Sequence, residues 1–274
     1  MKFSANLSYL VYAASVALAV PIEKRAGTSY SGGSTATDVA DGVCAPVTFI
    51  FARGSTETGN MGSTVGPALA KALISALGSD GVAIQGVEYP ASIESNISMG
   101  SEGGPEMAKL AQQALSNCPD TKIALSGYSQ GATVTHYAVK SGGLDADNVS
   151  AVVLYGDPLY GQSVGDLPDS KLKEFCASGD GVCETGTFSI SAAHLSYTSG
   201  SDISEGAEFI ESNIGGSSGT SSSSEPSSTE PSSSTSSSTE STSSSGLGSF
   251  FGSSSNSGLS GLTGFKMSSE TALQ

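Results

Sequence analysis

A glycine-flanked serine, two histidines and a set of downstream aspartates are the residues of this chain whose types and spacing could do chemistry. Residues 125–134 read LSGYSQGATV, so Ser129 stands between Gly127 and Gly131 directly after a short apolar run. A strand running into G-x-S-x-G and then into a helix presents the serine hydroxyl on a sharp turn, ready for nucleophilic acyl transfer. Glycine suits the positions two residues either side, because the turn leaves no room there for side chains. The first amides of the following helix are placed to stabilise a developing oxyanion. A serine idle in a glycine-rich turn is the competing reading, so a base and an acid must be found elsewhere.

The chain has only two histidines, His136 and His194. His136 follows Ser129 on the same helix, about two turns or roughly 10 Å down the axis, and cannot reach the hydroxyl. It is expected as a packed or surface histidine. His194, in SAAHLSY, lies downstream in a loop and fits the chain order serine, acid, histidine of the α/β-hydrolase scheme. The aspartates between Ser129 and His194 are Asp145, Asp147, Asp157, Asp166, Asp169 and Asp180. Asp180 is preferred: it follows a strand-like run and sits inside Cys176-Ala-Ser-Gly-Asp-Gly-Val-Cys183, where a disulfide would fix the loop. A fixed carboxylate can orient an imidazole and stabilise its charged form. Asp157, in LYGDPLY, is the second choice, and its residue type before proline also suits a plain turn.

Five apolar runs must position these groups as buried strands: VTFIFA from Val47, VAIQGVEY from Val82, KIALSGY from Lys122, SAVVLYG from Ser150 and KLKEFCA from Lys171. Between them, PALAKALISALG spaces Leu69, Leu73 and Leu77 by four, and PEMAKLAQQAL does the same with Met107, Ala111 and Leu115. Both open on proline in the first helical turn, where its missing N–H costs least. A last helix is expected from Ile203, closing the domain near Gly215. Strand alternating with helix argues for a parallel sheet covered on both faces.

The first nineteen residues resemble a secretory signal peptide, and residues 20–25 end in Lys24-Arg25, a dibasic processing pair. The polar Ser8, Tyr9, Tyr12 and Ser15 argue against a membrane span. Residues 26–43, rich in Gly, Ser and Thr, are expected as a flexible arm. Four cysteines in a secreted chain favour two disulfides. Three pairings are possible; Cys176 with Cys183 is the natural short loop, leaving Cys44 with Cys118. No close C-x-x-C pair is present, so no metal site is expected, and no cofactor. A formal net charge of -15 without a basic cluster excludes nucleic-acid binding. Residues 216–274 begin with a Ser/Thr-rich stretch containing proline, of the kind found in O-glycosylated stalks, with cell-wall association as one use. The last residues lack the continuous apolar tail of a lipid-anchor signal.

GYSQG, the C-x-x-x-D-x-x-C loop, AAHLSY and the early FARGSTETGN occur in order, and together residues 44–215 resemble the cutinase family of fungal serine esterases. The resemblance implies an α/β fold: a three-layer α/β-hydrolase-type domain with a central, mostly parallel five-stranded sheet and no large lid. It assigns Ser129 as nucleophile, Asp180 as acid and His194 as base. It places the oxyanion hole on Ser55 and the amide of Gln130, with Asn96 supporting Ser55. Its disulfide pattern matches Cys44 with Cys118 and Cys176 with Cys183. An apolar rim for insoluble or polymeric esters falls on Ile93, Phe188, Ile190 and Leu195. Asn96 also opens a glycosylation sequon, and the structural role is preferred, with Asn148 as the expected acceptor. The implied protein is a secreted monomer without cofactor. Tyr89-Pro90 is similar to related acetylxylan esterases, which keeps that activity as the alternative. A non-catalytic surface protein is the reading from another class.

Overall fold

The computed structural model describes residues 27–215, together with Met1. The expected signal peptide (1–19), the processing segment (20–25) and the tail (216–274) lie outside the described residues.

Five strands, β1 (Val47–Ala52), β2 (Val82–Gly86), β3 (Lys122–Tyr128), β4 (Val149–Tyr155) and β5 (Leu172–Phe175), form one sheet in the order β2-β1-β3-β4-β5. Every neighbouring pair is parallel. Helices α1 (Val65–Leu77) and α5 (Asp202–Asn213) cover one face; α2 (Gly104–Asn117) and α3 (Gln130–Lys140) cover the other. Short α4 (Gly181–Thr185) follows β5.

Period-two alternation divides the core. Phe49 and Phe51 of β1 pack with Leu69, Leu73 and Ile210 on the α1/α5 side, whereas Ile50 and Ala52 pack with Met107, Leu110 and Val134 on the α2/α3 side. This two-sided burial is why the strands are continuous apolar runs. Pro67 and Pro105 fall in the first turns of α1 and α2, as their chemistry requires. Disulfides Cys44–Cys118 and Cys176–Cys183 are both formed.

Three expectations change. Strand β2 stops at Gly86 rather than running on to Tyr89, because the carbonyls of Val87 and Tyr89 turn to the Arg53 guanidinium. Strand β5 starts at Leu172, since Lys171 closes a one-turn 3-10 helix and its ammonium donates to Val149 O at 2.8 Å. The segment 26–43, expected as a flexible arm, is packed over its described part. Ala36, Val39 and Val43 are buried, the Asp38 carboxylate accepts from Ile84 N at 2.7 Å, and Asn60 Oδ1 accepts from Ala36 N at 2.9 Å. Glycine and serine content suggested looseness, but long-range partners satisfy this backbone.

Candidate active site

The site lies at the carboxyl ends of the strands, where the loops after β1, β3, β4 and β5 converge, as expected for an open parallel sheet. Strand β3 ends at Tyr128 and α3 begins at Gln130, so Ser129 alone makes the turn, at φ 56° and ψ -120°. A non-glycine residue there costs on the order of 1–3 kcal/mol and must be held by its surroundings. The hold is a 2.9 Å bond from Ser129 N to Tyr155 O and a second from Ala132 N to Ser129 O. The flanking glycines are needed for close approach: a Cβ at Gly131 would lie 2.0 Å from Ala52 O, and one at Gly127 2.1 Å from Gly131 O.

The loop that carries Asp180 is built by covalent and local bonds. The Cys176–Cys183 disulfide closes it, and Asp180 caps α4, with Oδ1 accepting from Val182 N at 2.9 Å. Oδ2 faces His194 Nδ1 at 2.8 Å, with both side chains buried. The other imidazole nitrogen, Nε2, is buried and has no hydrogen-bond partner among the described residues. Tyr128 stacks on the His194 ring at 5.1 Å and donates its hydroxyl to His194 O at 2.8 Å. Tyr197, edge-on to the same ring, donates its hydroxyl to Asp180 Oδ2. Burial, then the bond to Asp180, pushes the Tyr197 phenol far above its usual range.

The loop after β1 carries Ser55 and is tied to the loop after β2. Arg53 donates to Tyr89 O at 2.7 Å and stacks over the Tyr89 ring, while Thr56 N donates to Ala91 O at 2.7 Å. Ser55 Oγ lies 3.2 Å from Asn96 Nδ2, which also donates to Ile93 O. Asn96 is only 8% exposed, whereas Asn148 is exposed. Gln130 is buried, its side-chain amide donates to Ser92 O at 2.9 Å, and its main-chain N–H is among the α3 donors without an intrahelical acceptor.

A cavity of about 300 Å³ joins these parts, lined by Ser55, Ser129, His194 and Tyr128 together with Ile93, Ile190 and Leu195. Ile93, Phe188, Ile190 and Leu195 are 53–67% exposed, and Ile97, at 86%, is a further exposed apolar residue on the same segment as Ile93. His136 and Asp157 lie apart from this cavity and bond each other, Nε2 to Oδ2, at 2.7 Å. Asp157 Oδ1 also accepts from Leu159 N, the expected turn role. Reading by residue type missed Tyr128, Tyr197, Arg53 and Ile97. Tyr197 stands three residues after His194, and no local pattern marks its partner.

The family model Cutinase matches residues 43–214. Cutinase 4 of Emericella nidulans is 48% identical over 185 residues, spanning 67% of this chain and 79% of that protein. The cutinase of Botryotinia fuckeliana is 42% identical over 176 residues, 63% of this chain and 85% of its own. Among solved structures, Trichoderma reesei cutinase in complex with a C11Y4 phosphonate inhibitor aligns with a TM-score of 0.60 at 38% identity, covering 67% and 81% of the two chains. Fold, motif order and similarity over the whole globular part agree: this chain belongs to the cutinase family and is a serine esterase, a carboxylic ester hydrolase.

Proposed function

We propose that the protein is a secreted hydrolase of cutin or similar aliphatic polyesters, working through Ser129, His194 and Asp180. The observation that carries this reading is the His194–Asp180 pair at 2.8 Å, with His194 and Ser129 lining one open, apolar-rimmed cavity. Ser129 Oγ attacks the ester carbonyl carbon while His194 Nε2 takes the hydroxyl proton. The carbonyl π pair moves onto oxygen, and the Ser55 hydroxyl and Gln130 N–H receive the resulting oxyanion; each such donor is typically worth about 10² to 10³ in rate. Collapse breaks the bond to the leaving oxygen, which takes the proton from Nε2 and departs as the alcohol. Water then attacks the acyl-enzyme with Nε2 again as base, releasing the acid and restoring Ser129. Asp180 fixes the imidazole orientation and steadies its charged form.

Exposed Ile93, Phe188, Ile190 and Leu195 support a polymeric substrate, because an insoluble chain can settle on such a rim directly. The Ser/Thr-rich segment after residue 215 fits a stalk that keeps the enzyme near the cell wall. The test is a panel of p-nitrophenyl esters from acetyl to long acyl, with cutin and acetylated xylan as natural substrates. Release of hydroxy fatty acids from cutin, lost in Ser129→Ala, is expected. Activity confined to acetylated xylan assigns the acetylxylan esterase alternative, and full activity in Ser129→Ala removes the nucleophile assignment.

A further inference from the structure

The second histidine pair of the molecule has a third neighbour that the ester chemistry does not use. His136 from α3, Asp157 from the loop after β4 and Glu174 from β5 place one ligand atom each within 4.8 Å of one another. Three separate elements therefore converge on one point. His136 and Asp157 are buried, and Glu174 is partly exposed on the wall of a surface cavity of about 390 Å³ shared with Gly161, Ser163 and Asp169.

Two carboxylates and one imidazole meet here, and Lys171 and Lys173, which precede Glu174 in the chain, are engaged elsewhere. Lys171 Nζ donates to Val149 O at 2.8 Å, and Lys173 Nζ pairs with Glu205 at 3.3 Å over the Phe175 ring. We propose that His136, Asp157 and Glu174 form a site for a divalent first-row transition metal, zinc or manganese in kind, that clamps α3, the loop after β4 and β5 together.

Donor chemistry selects the class of metal. An imidazole nitrogen with two carboxylates suits zinc or manganese, whereas calcium takes roughly six to eight oxygen ligands. Metal–ligand distances of about 2.0–2.2 Å require His136 Nε2 and Asp157 Oδ2, now 2.7 Å apart, to open around the ion while Glu174 moves in. Glu174 is the one free to adjust, since it is partly exposed and the bonds its carboxylate accepts from Gly161 N are long, at 3.2 and 3.3 Å. Water from the adjoining cavity completes a fourth position. Cysteine spacing excluded a thiolate site and is silent on this one.

The metal is structural. None of the three ligands lines the cavity that holds Ser129. They stand behind the reactive pair instead: Asp157 directly follows Gly156, where an added Cβ would lie 2.7 Å from His194 Cε1. Helix α3 starts at the elbow, so the clamp also fixes the turn that bears Ser129.

The experiment is thermal melting of the full secreted chain, stripped with chelator and titrated with ZnCl₂, MnCl₂ or CaCl₂. Zinc or manganese at about a hundredfold excess over Kd is expected to raise the melting temperature by roughly 5–10 °C. Calcium at the same concentration leaves it unchanged. Glu174→Gln keeps the fold and loses the shift. A Co²⁺ titration of the wild type should show visible d–d bands saturating at one ion per chain, absent in Glu174→Gln. The proposal is overturned by no shift in the wild type up to millimolar metal, by an equal shift in Glu174→Gln, or by a shift that disappears only in His194→Ala.

Discussion

Tyr197 gives its hydroxyl to Asp180 at 2.5 Å, on the same carboxylate oxygen that His194 Nδ1 holds at 2.8 Å. The carboxylate is thus aimed from two directions, and a phenol that cannot ionise at ordinary pH remains a donor throughout the working range. Tyr197→Phe should lower kcat about tenfold, equivalent to about 1.4 kcal/mol, and leave KM within a factor of two. Melting should show a loss of about 1–3 kcal/mol, because a hydrogen bond to a buried charge is removed. Steady-state kinetics on a soluble butyrate ester separates the two effects; a change in KM alone would contradict the positioning role.

Ser55 and Asn96 should fall in a graded series. Ser55→Ala removes a proposed oxyanion donor and should cut kcat by about 10² to 10³. Asn96→Ala leaves that donor in place but frees it from its 3.2 Å partner, so a smaller loss is expected. The double variant should lose little more than Ser55→Ala, since the two act as a unit.

The two disulfides should have different consequences. Cys44–Cys118 spans 74 residues of sequence and lies away from the site, so Cys44→Ser/Cys118→Ser should cost about 4 kcal/mol of stability with kcat unchanged at low temperature. Cys176–Cys183 closes only seven, but holds the loop with Asp180. Its removal should cost less stability and more kcat. Denaturant melts beside kinetics at 10 °C would test the crossover.

Glu174 gives the stability curve a definite slope. Burial, with the Asp157 carboxylate adding to it, pushes this group up to about 7 from 4.5, against the lowering effects of the Gly161 N–H and His136. Between about 4.5 and 7 the folded state binds the extra proton, so stability present at low pH is lost as pH rises through 7. In chelator-containing buffer, Glu174→Gln should match the wild type in melting temperature near pH 4.5 and exceed it at pH 8. The opposite ordering at pH 8 would contradict the assignment.

Ile97, at 86% exposure, should matter only at a surface. Ile97→Ser should leave hydrolysis of a soluble acetate ester unchanged and weaken adsorption to a polyester film up to about tenfold, since burying one such side chain is worth about 1.5–3 kcal/mol at most.

Much of this was legible because it is local. The elbow is one short motif, the strands are apolar runs, and Asp180 sits in a loop delimited by its own cysteines. Helix geometry separated His136 from Ser129, and in the structure His136 lies outside the cavity, bonded to Asp157. What escaped depends on partners far along the chain. Asp38 and Ile84 lie 46 residues apart, yet their bond turns a Gly/Ser-rich arm into packed structure. Arg53 shortens β2 through carbonyls more than thirty residues away. Tyr197 could be suspected only once the disulfide loop had been folded against it.

The packed arm also changes what the sheet offers to its surroundings. Strand β2 is a sheet edge, and edges with free N–H and C=O groups invite pairing with another chain. Here Ile84 O accepts from Asp38 N, Ile84 N donates to the Asp38 carboxylate and Gly86 N donates to Ala36 O. Copies brought close together at high concentration are thereby protected along this edge from strand-by-strand aggregation with one another.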